Sequence, residues 1–133
     1  MRDEIGETYM ELLLAIGAIM ACLGVVLGAF GAHALKDKFA APHYAAIWET
    51  AVQYHMYHSL GLLGLGILSS DALLGASSLL SWAGYLMFAG IVFFSGSLYV
   101  LAVTGVKKLG AITPIGGMLF IIAWVLVAIS AFS

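Results

Sequence analysis

The stretch MELLLAIGAIMACLGVVLGAFGAHA, residues 10–34, carries no charged side chain after Glu11. It is longer than the ~20 residues an α-helix needs to cross a hydrocarbon core of about 30 Å. Lipid offers no hydrogen-bond partner to the backbone, so an apolar run of this kind must bond to itself as a helix. Three more segments repeat the pattern. The second follows Pro42, a residue suited to a first helical turn, and reaches Ser69. Its first half, Tyr44 to His58, is polar for a membrane helix, whereas LGLLGLGIL (60–68) is apolar. These segments predict one all-α domain over residues 1–133, an integral membrane up-down bundle of four transmembrane helices at 9–34, 43–69, 79–104 and 111–132. The connections at 35–43, 70–78 and 105–110 are short, so neighbours in sequence become antiparallel neighbours in space.

Composition agrees. The chain is 63% hydrophobic and 9% charged, with a mean hydropathy of +1.09, against about 25% charged in an average soluble domain. A net charge of −2 without a basic cluster excludes nucleic acid as a partner. The single cysteine, Cys22, lies inside the first apolar run and behaves as a small packing residue, so no disulfide or thiolate metal site is expected. Ala32-His33-Ala34 mimics a leader cleavage site. The segment before it has one base, Arg2, against Asp3, Glu4, Glu7 and Glu11, and is too long for a leader's apolar core, so it is expected to stay in the mature chain.

Lysine placement predicts orientation. Loops one and three hold Lys36, Lys38, Lys107 and Lys108, whereas the N-terminus, loop two and the C-terminus hold only Arg2. Loops one and three are therefore expected in the cytoplasm and both termini outside. Trp48, Trp82, Tyr9 and Tyr85 suit interfacial positions; Trp124 has no evident one. The unusual residues then gather in the inner half: GAFGAHAL (28–35), WETAVQYHMYH (48–58), FSGSLYVL (94–101) and ITPIGG (112–117).

Through those motifs the chain resembles the YgdD/YwdK-like small inner-membrane proteins of bacteria, the family of domain of unknown function 423, which has a mitochondrial relative. GAFGAH, the Trp-x-x-x-x-x-Tyr-x-x-x-His pattern of Trp48, Tyr54 and His58, FSGSLY and TPxGG occur in the family's order. The match spans about residues 10 to 130, with the acidic residues 1–8 outside the usual pattern. The resemblance implies a four-helix protein of the bacterial inner membrane and brings no activity with it.

Polar groups inside a bilayer are costly and mark functional candidates. His55 and His58 share a face of helix two with Tyr54, while Glu49 and Gln53 occupy another arc. Ser95 on helix three reaches a depth similar to that of His55, with His58 one turn deeper, and Tyr54, His55, His58 and the Ser95–Ser97 turn are expected to form one hydrogen-bonded cluster. Three uses stay open for it: interhelical bonds, a headgroup or quinone pocket, or metal or haem ligation. His-x-x-His alone supplies only two metal ligands. His33 reads as a cap at the end of helix one, and Glu49 as an interfacial partner of Lys36, Lys107 or Lys108. The candidate ligand-binding cluster is thus His33, Glu49, Gln53, Tyr54, His55, His58, Ser95 and Ser97.

Gly24, Gly28, Gly31, Gly96, Gly116 and Gly117 read as close-packing positions, because small residues let membrane helices approach. Helix one is expected to lie against helix three at Gly24 or Gly28. Thr113 reads as the N-cap of helix four, with Pro114 in its first turn. No nucleophile elbow, zinc-protease, phosphate-loop or CxxC motif occurs. The function expected is a non-enzymatic accessory or interaction protein of the cytoplasmic membrane, without cofactor or metal. Its partners are membrane lipid and a membrane protein or a second copy of the chain. The alternative is a carrier or a metal-, haem- or quinone-binding protein using the helix-two histidines.

Overall fold

The computed structural model describes residues 2–133, and every regular element among them is helical. Helix α1 (Arg2–Ala32) and helix α2 (Tyr44–Leu68) are continuous. The third rod has three parts: α3 (Ser78–Gly90), one π turn (Ile91–Gly96) and α4 (Ser97–Thr104). A 3₁₀ segment (Lys107–Ala111) leads into α5 (Thr113–Ser130). The spans Glu4–Ala32, Ser78–Thr104 and Lys107–Ser130 are each long and apolar enough to cross a membrane. With 25 residues α2 has the length, but Gln53, Tyr54, His55, Tyr57 and His58 make it less apolar.

Several boundaries differ from those expected. The acidic start continues α1 from Arg2, and Thr8 bonds back to the Glu4 carbonyl at 2.9 Å. Pro42 lies in the turn before α2, where its carbonyl accepts from Ala45 N–H, and not within the first helical turn. Thr113 is already helical, with Ile112 at the N-cap position; its hydroxyl turns sideways to Ser97 and does not cap. Ser77 does cap α3, accepting from Leu80 N–H at 3.2 Å.

The polar helix is the central one. One side of α2 packs along α1, the other against α3, the π turn and α4, while α3 and the π turn also carry α5. Buried positions on α2 run Trp48, Ala51, His55, His58, Ser59, Leu62 and Leu65. The outer faces of α1 and α5 instead present Ile19, Val25, Ile121 and Val125 outward. This division is physically sensible: apolar helices meet lipid at little cost, so they can shield a helix that lipid would penalise.

Helix α1 therefore packs against α2 at Gly24 and Gly28, and not against helix three as expected. The antiparallel register runs Gly17 over Ser59 and Leu63, Gly24 over His55 and Met56, Gly28 over Val52, and Gly31 over Trp48. Contact between α1 and α3 is confined to places such as Leu13, which fills the notch left by Gly84; a Cβ there would lie 2.7 Å from Leu13 Cδ2.

Two apolar cores result. Leu13, Leu62, Leu65, Leu80, Met87 and Phe120 fill the half near loop two, and Tyr44, Trp48, Leu101 and Ala102 fill the half near loops one and three. Gly105 ends α4 in the left-handed conformation at φ 72°, which a side chain rarely tolerates. Ala40 N–H bonds to the Ala102 carbonyl at 2.9 Å, so loop one is tied to the end of α4. Loops one and three, with their four lysines, thus share one end of the bundle. At the other end Gly6 meets Ala76.

Candidate functional site

His55 is 2% exposed and uses both ring nitrogens. Its Nε2 lies 2.7 Å from the Met20 carbonyl on α1, and its Nδ1 lies 2.8 Å from the Tyr99 hydroxyl on α4. A carbonyl can only accept, so Nε2 carries the proton, and in the neutral ring Nδ1 accepts from Tyr99. His58, one turn further along, has the opposite tautomer. Its Nδ1 donates to the Tyr54 carbonyl at 2.7 Å, and its Nε2 accepts the Trp124 indole N–H at 3.0 Å. An indole N–H can only donate, so Nε2 of His58 must be bare. The His58 ring also lies flat on Phe120, 3.5 Å between centroids and 8° between planes.

Glycines on α1 make room for two of these contacts by one device. The carbonyl reached by His55 belongs to the residue four before Gly24; the carbonyl reached by Trp48 Nε1, at 2.9 Å, is Leu27, four before Gly31. A Cβ on Gly24 would lie 3.4 Å from His55 Cδ2, and one on Gly31 would collide with the Trp48 indole. Seven residues separate the two donors, the two carbonyls and the two glycines. The device therefore recurs after two helical turns on the same seam.

The serines serve other partners. Ser95, in the π turn and fully buried, donates to the Ala51 carbonyl of α2 at 2.7 Å. Ser97 donates to the Phe94 carbonyl at 2.9 Å and lies 2.7 Å from the Thr113 hydroxyl of α5. The π turn widens the helix by one residue per turn, and Gly116 of α5 packs so closely on its Phe94 backbone that a Cβ would collide.

The expected single cluster is thus four separate bonding sets, one each around His55, His58, Ser95 and Ser97. Ser95 and Ser97 do not bond either imidazole, and Tyr54 contributes its carbonyl while its ring, 39% exposed, packs on Phe94. The partners are Tyr99, Trp124 and backbone carbonyls. Tyr99 sits inside the FSGSLY motif, and its spacing of four from Ser95 was the signal for a shared face. Trp124 gave no such signal, because its partner lies 66 positions away.

Other expected site residues stand apart. His33 is exposed, and its imidazole makes no hydrogen bond among the described residues, so it does not cap α1. Gln53 is exposed on α2. Glu49 is exposed in a groove it shares with Lys36, without closing on it as an ion pair. Trp48, expected at an interface, is buried at 6% exposure. Among the glycines, Gly96 meets nothing closer than 4.0 Å and Gly117 makes only ordinary contact with Phe94 at 3.8 Å, so neither is a close-packing position. No group of three His, Cys, Asp or Glu side chains suited to a metal ion occurs among the described residues.

Apolar helices packed around a more polar one, with its buried imidazoles bonded to side chains and to backbone, define the class: a small multi-pass membrane protein. The chain belongs to the family described as protein of unknown function (DUF423), whose model matches residues 27–117. It is similar to the UPF0382 membrane protein YwdK of Bacillus subtilis, 53% identical over 122 residues, 92% of this chain and 97% of the relative. A UPF0382 membrane protein of Staphylococcus saprophyticus is 50% identical over 123 residues, 92% of this chain and 98% of its own length. No solved structure matches. The matched span covers GAFGAH, the Trp48–His58 stretch, FSGSLY and TPIGG, the motifs that carried the resemblance.

Proposed function

We propose that this chain is a four-span, non-enzymatic accessory or interaction protein of the cytoplasmic membrane, with both termini outside. Its central helix acts as a hydrogen-bonded hub and does not process a substrate. The observation that carries this reading is the full use of both imidazoles: each ring nitrogen of His55 and His58 is committed to another helix or to the α2 backbone. A carrier or a haem-binding site needs a ring nitrogen free to meet its cargo or iron. The fourth span is α2 itself, about 37 Å long at 1.5 Å per residue, with His55, His58 and Ser59 turned inward. Orientation is supported by the gathering of Lys36, Lys38, Lys107 and Lys108 at one end. Lipid and another membrane protein, or a second copy, are the partners the exposed apolar faces of α1 and α5 suit.

Elemental analysis and an absorption spectrum of the purified protein test the hub reading. Neither a stoichiometric metal nor a visible chromophore is expected. Either one, lost in His55→Gln, would overturn the hub reading and favour a metal- or haem-handling protein.

A further inference from the structure

A groove of about 460 Å³ opens between the end of α1 and the start of α2, at the end of the bundle that holds the lysines. That volume lies in the range of small-molecule sites, about 300–1,000 Å³. Its floor is apolar: Val52 and the Trp48 indole pack onto Gly28 and Gly31 of α1, and Ala32, Phe39 and Ala45 line the rest. Its rim carries two opposite charges, the Lys36 ammonium and the Glu49 carboxylate, both exposed and not closed on each other. We propose that this groove binds a zwitterionic phospholipid headgroup, with Lys36 on the phosphodiester, Glu49 on the amine and the apolar floor against the glycerol and upper acyl chain.

The charge pattern selects the occupant. A polyanionic headgroup is held by several bases, and a carboxylate on the same rim repels it. An apolar helix from a partner protein gains nothing from either charge and must desolvate both. A ligand with one anionic and one cationic centre answers both. Trp48 makes the floor rigid, because its indole is locked into the Gly31 notch and bonded to the Leu27 carbonyl, so the floor is built before any ligand arrives. The inference rests on the preceding reading only in placing this end of the bundle at the inner leaflet.

Native mass spectrometry of the full chain, released from bilayers of equal palmitoyl-oleoyl phosphatidylethanolamine and phosphatidylglycerol, tests it. Retained phosphatidylethanolamine should exceed phosphatidylglycerol. Glu49→Gln should lower that ratio about two- to fivefold, the worth of one exposed charge pair, and Lys36→Gln should lower total retained lipid by a similar factor. Both side chains are exposed, so an unchanged melting temperature will show that the fold persists. Equal retention of the two lipids, or a ratio indifferent to Glu49→Gln, would overturn the proposal. A dimer without lipid would assign the groove to a second copy and overturn it as well. Retention from a mixed bilayer does not depend on which way the protein faces, so a wrong topology and a wrong ligand give separate results.

Discussion

The indole N–H of Trp124 on α5 donates to Nε2 of His58 on α2 at 3.0 Å, and this bond joins the outermost helix to the central one. Trp124 is 46% exposed, so its ring bridges the lipid-facing surface and the interior. Without the indole donor, Nε2 of His58 faces Phe120 and lipid with nothing to accept from. A double-mutant cycle of Trp124→Phe and His58→Phe should give a coupling of about 0.6 kcal/mol, with ~1.7 kcal/mol as the upper end for membrane hydrogen bonds. Strict additivity would mean that the bond contributes nothing.

His55 should couple to Tyr99 and not to Ser95. Tyr99→Phe removes the hydroxyl that donates to Nδ1, whereas Ser95 bonds the Ala51 carbonyl. Cycles measured in one detergent should show coupling near 0.6 kcal/mol for His55 with Tyr99 and additivity for His55 with Ser95. The reverse pattern would sink the assignment of partners.

The α1 glycines should be ranked by what a new Cβ meets. Gly31→Ala drives a methyl into the Trp48 indole and breaks the Leu27 bond, so it should cost about 1–3 kcal/mol. Gly64→Ala has nothing within 4 Å and should be neutral or slightly stabilising, since Ala is the better helix former by about 1 kcal/mol. Gly96→Ala, in the π turn, should resemble Gly64→Ala. Melting temperatures of the three variants check the order, and a neutral Gly31→Ala would contradict the seam.

These glycines also show how far the sequence could be read. Periodicity marked Gly24, Gly28 and Gly31 as a smooth face, because only composition and spacing are needed for that. Which helix it met was not legible: a small-residue face fits any neighbour, and the choice of α2 came from imidazole and indole donors seeking α1 carbonyls. The apolar runs end close to where the helices end, but the start of α1 was not legible, because the acidic residues before Tyr9 are polar and yet helical from Arg2. The π turn at Ile91–Gly96 left no mark, because a one-residue widening depends on Gly116 and Ala51 in other helices. Of the polar candidates, depth placed His55 and Ser95 at similar levels and His58 one turn deeper, but depth does not give rotation about a helix axis.

The proposed orientation can be tested at the two ends of the bundle. Single cysteines at Lys38 and at Asp71, in a Cys22→Ser background, should label oppositely with an impermeant thiol reagent in intact cells. Position 71 is expected to label from outside and position 38 only after permeabilisation. Labelling of position 38 from outside would reverse the orientation.

The ring tautomers give the most direct view of whether α2 is a fully bonded hub. Nitrogen-15 solid-state NMR of the histidine-labelled protein in bilayers at neutral pH, with His55→Gln and His58→Gln used to assign the signals, reads each ring separately. His55 should be neutral with its proton on Nε2, bonded to Met20, and His58 should be neutral with its proton on Nδ1, bonded to Tyr54. Two rings of opposite tautomer are the expected result. A His58 ring carrying its proton on Nε2 could not accept from Trp124, and that single signal would contradict the hub.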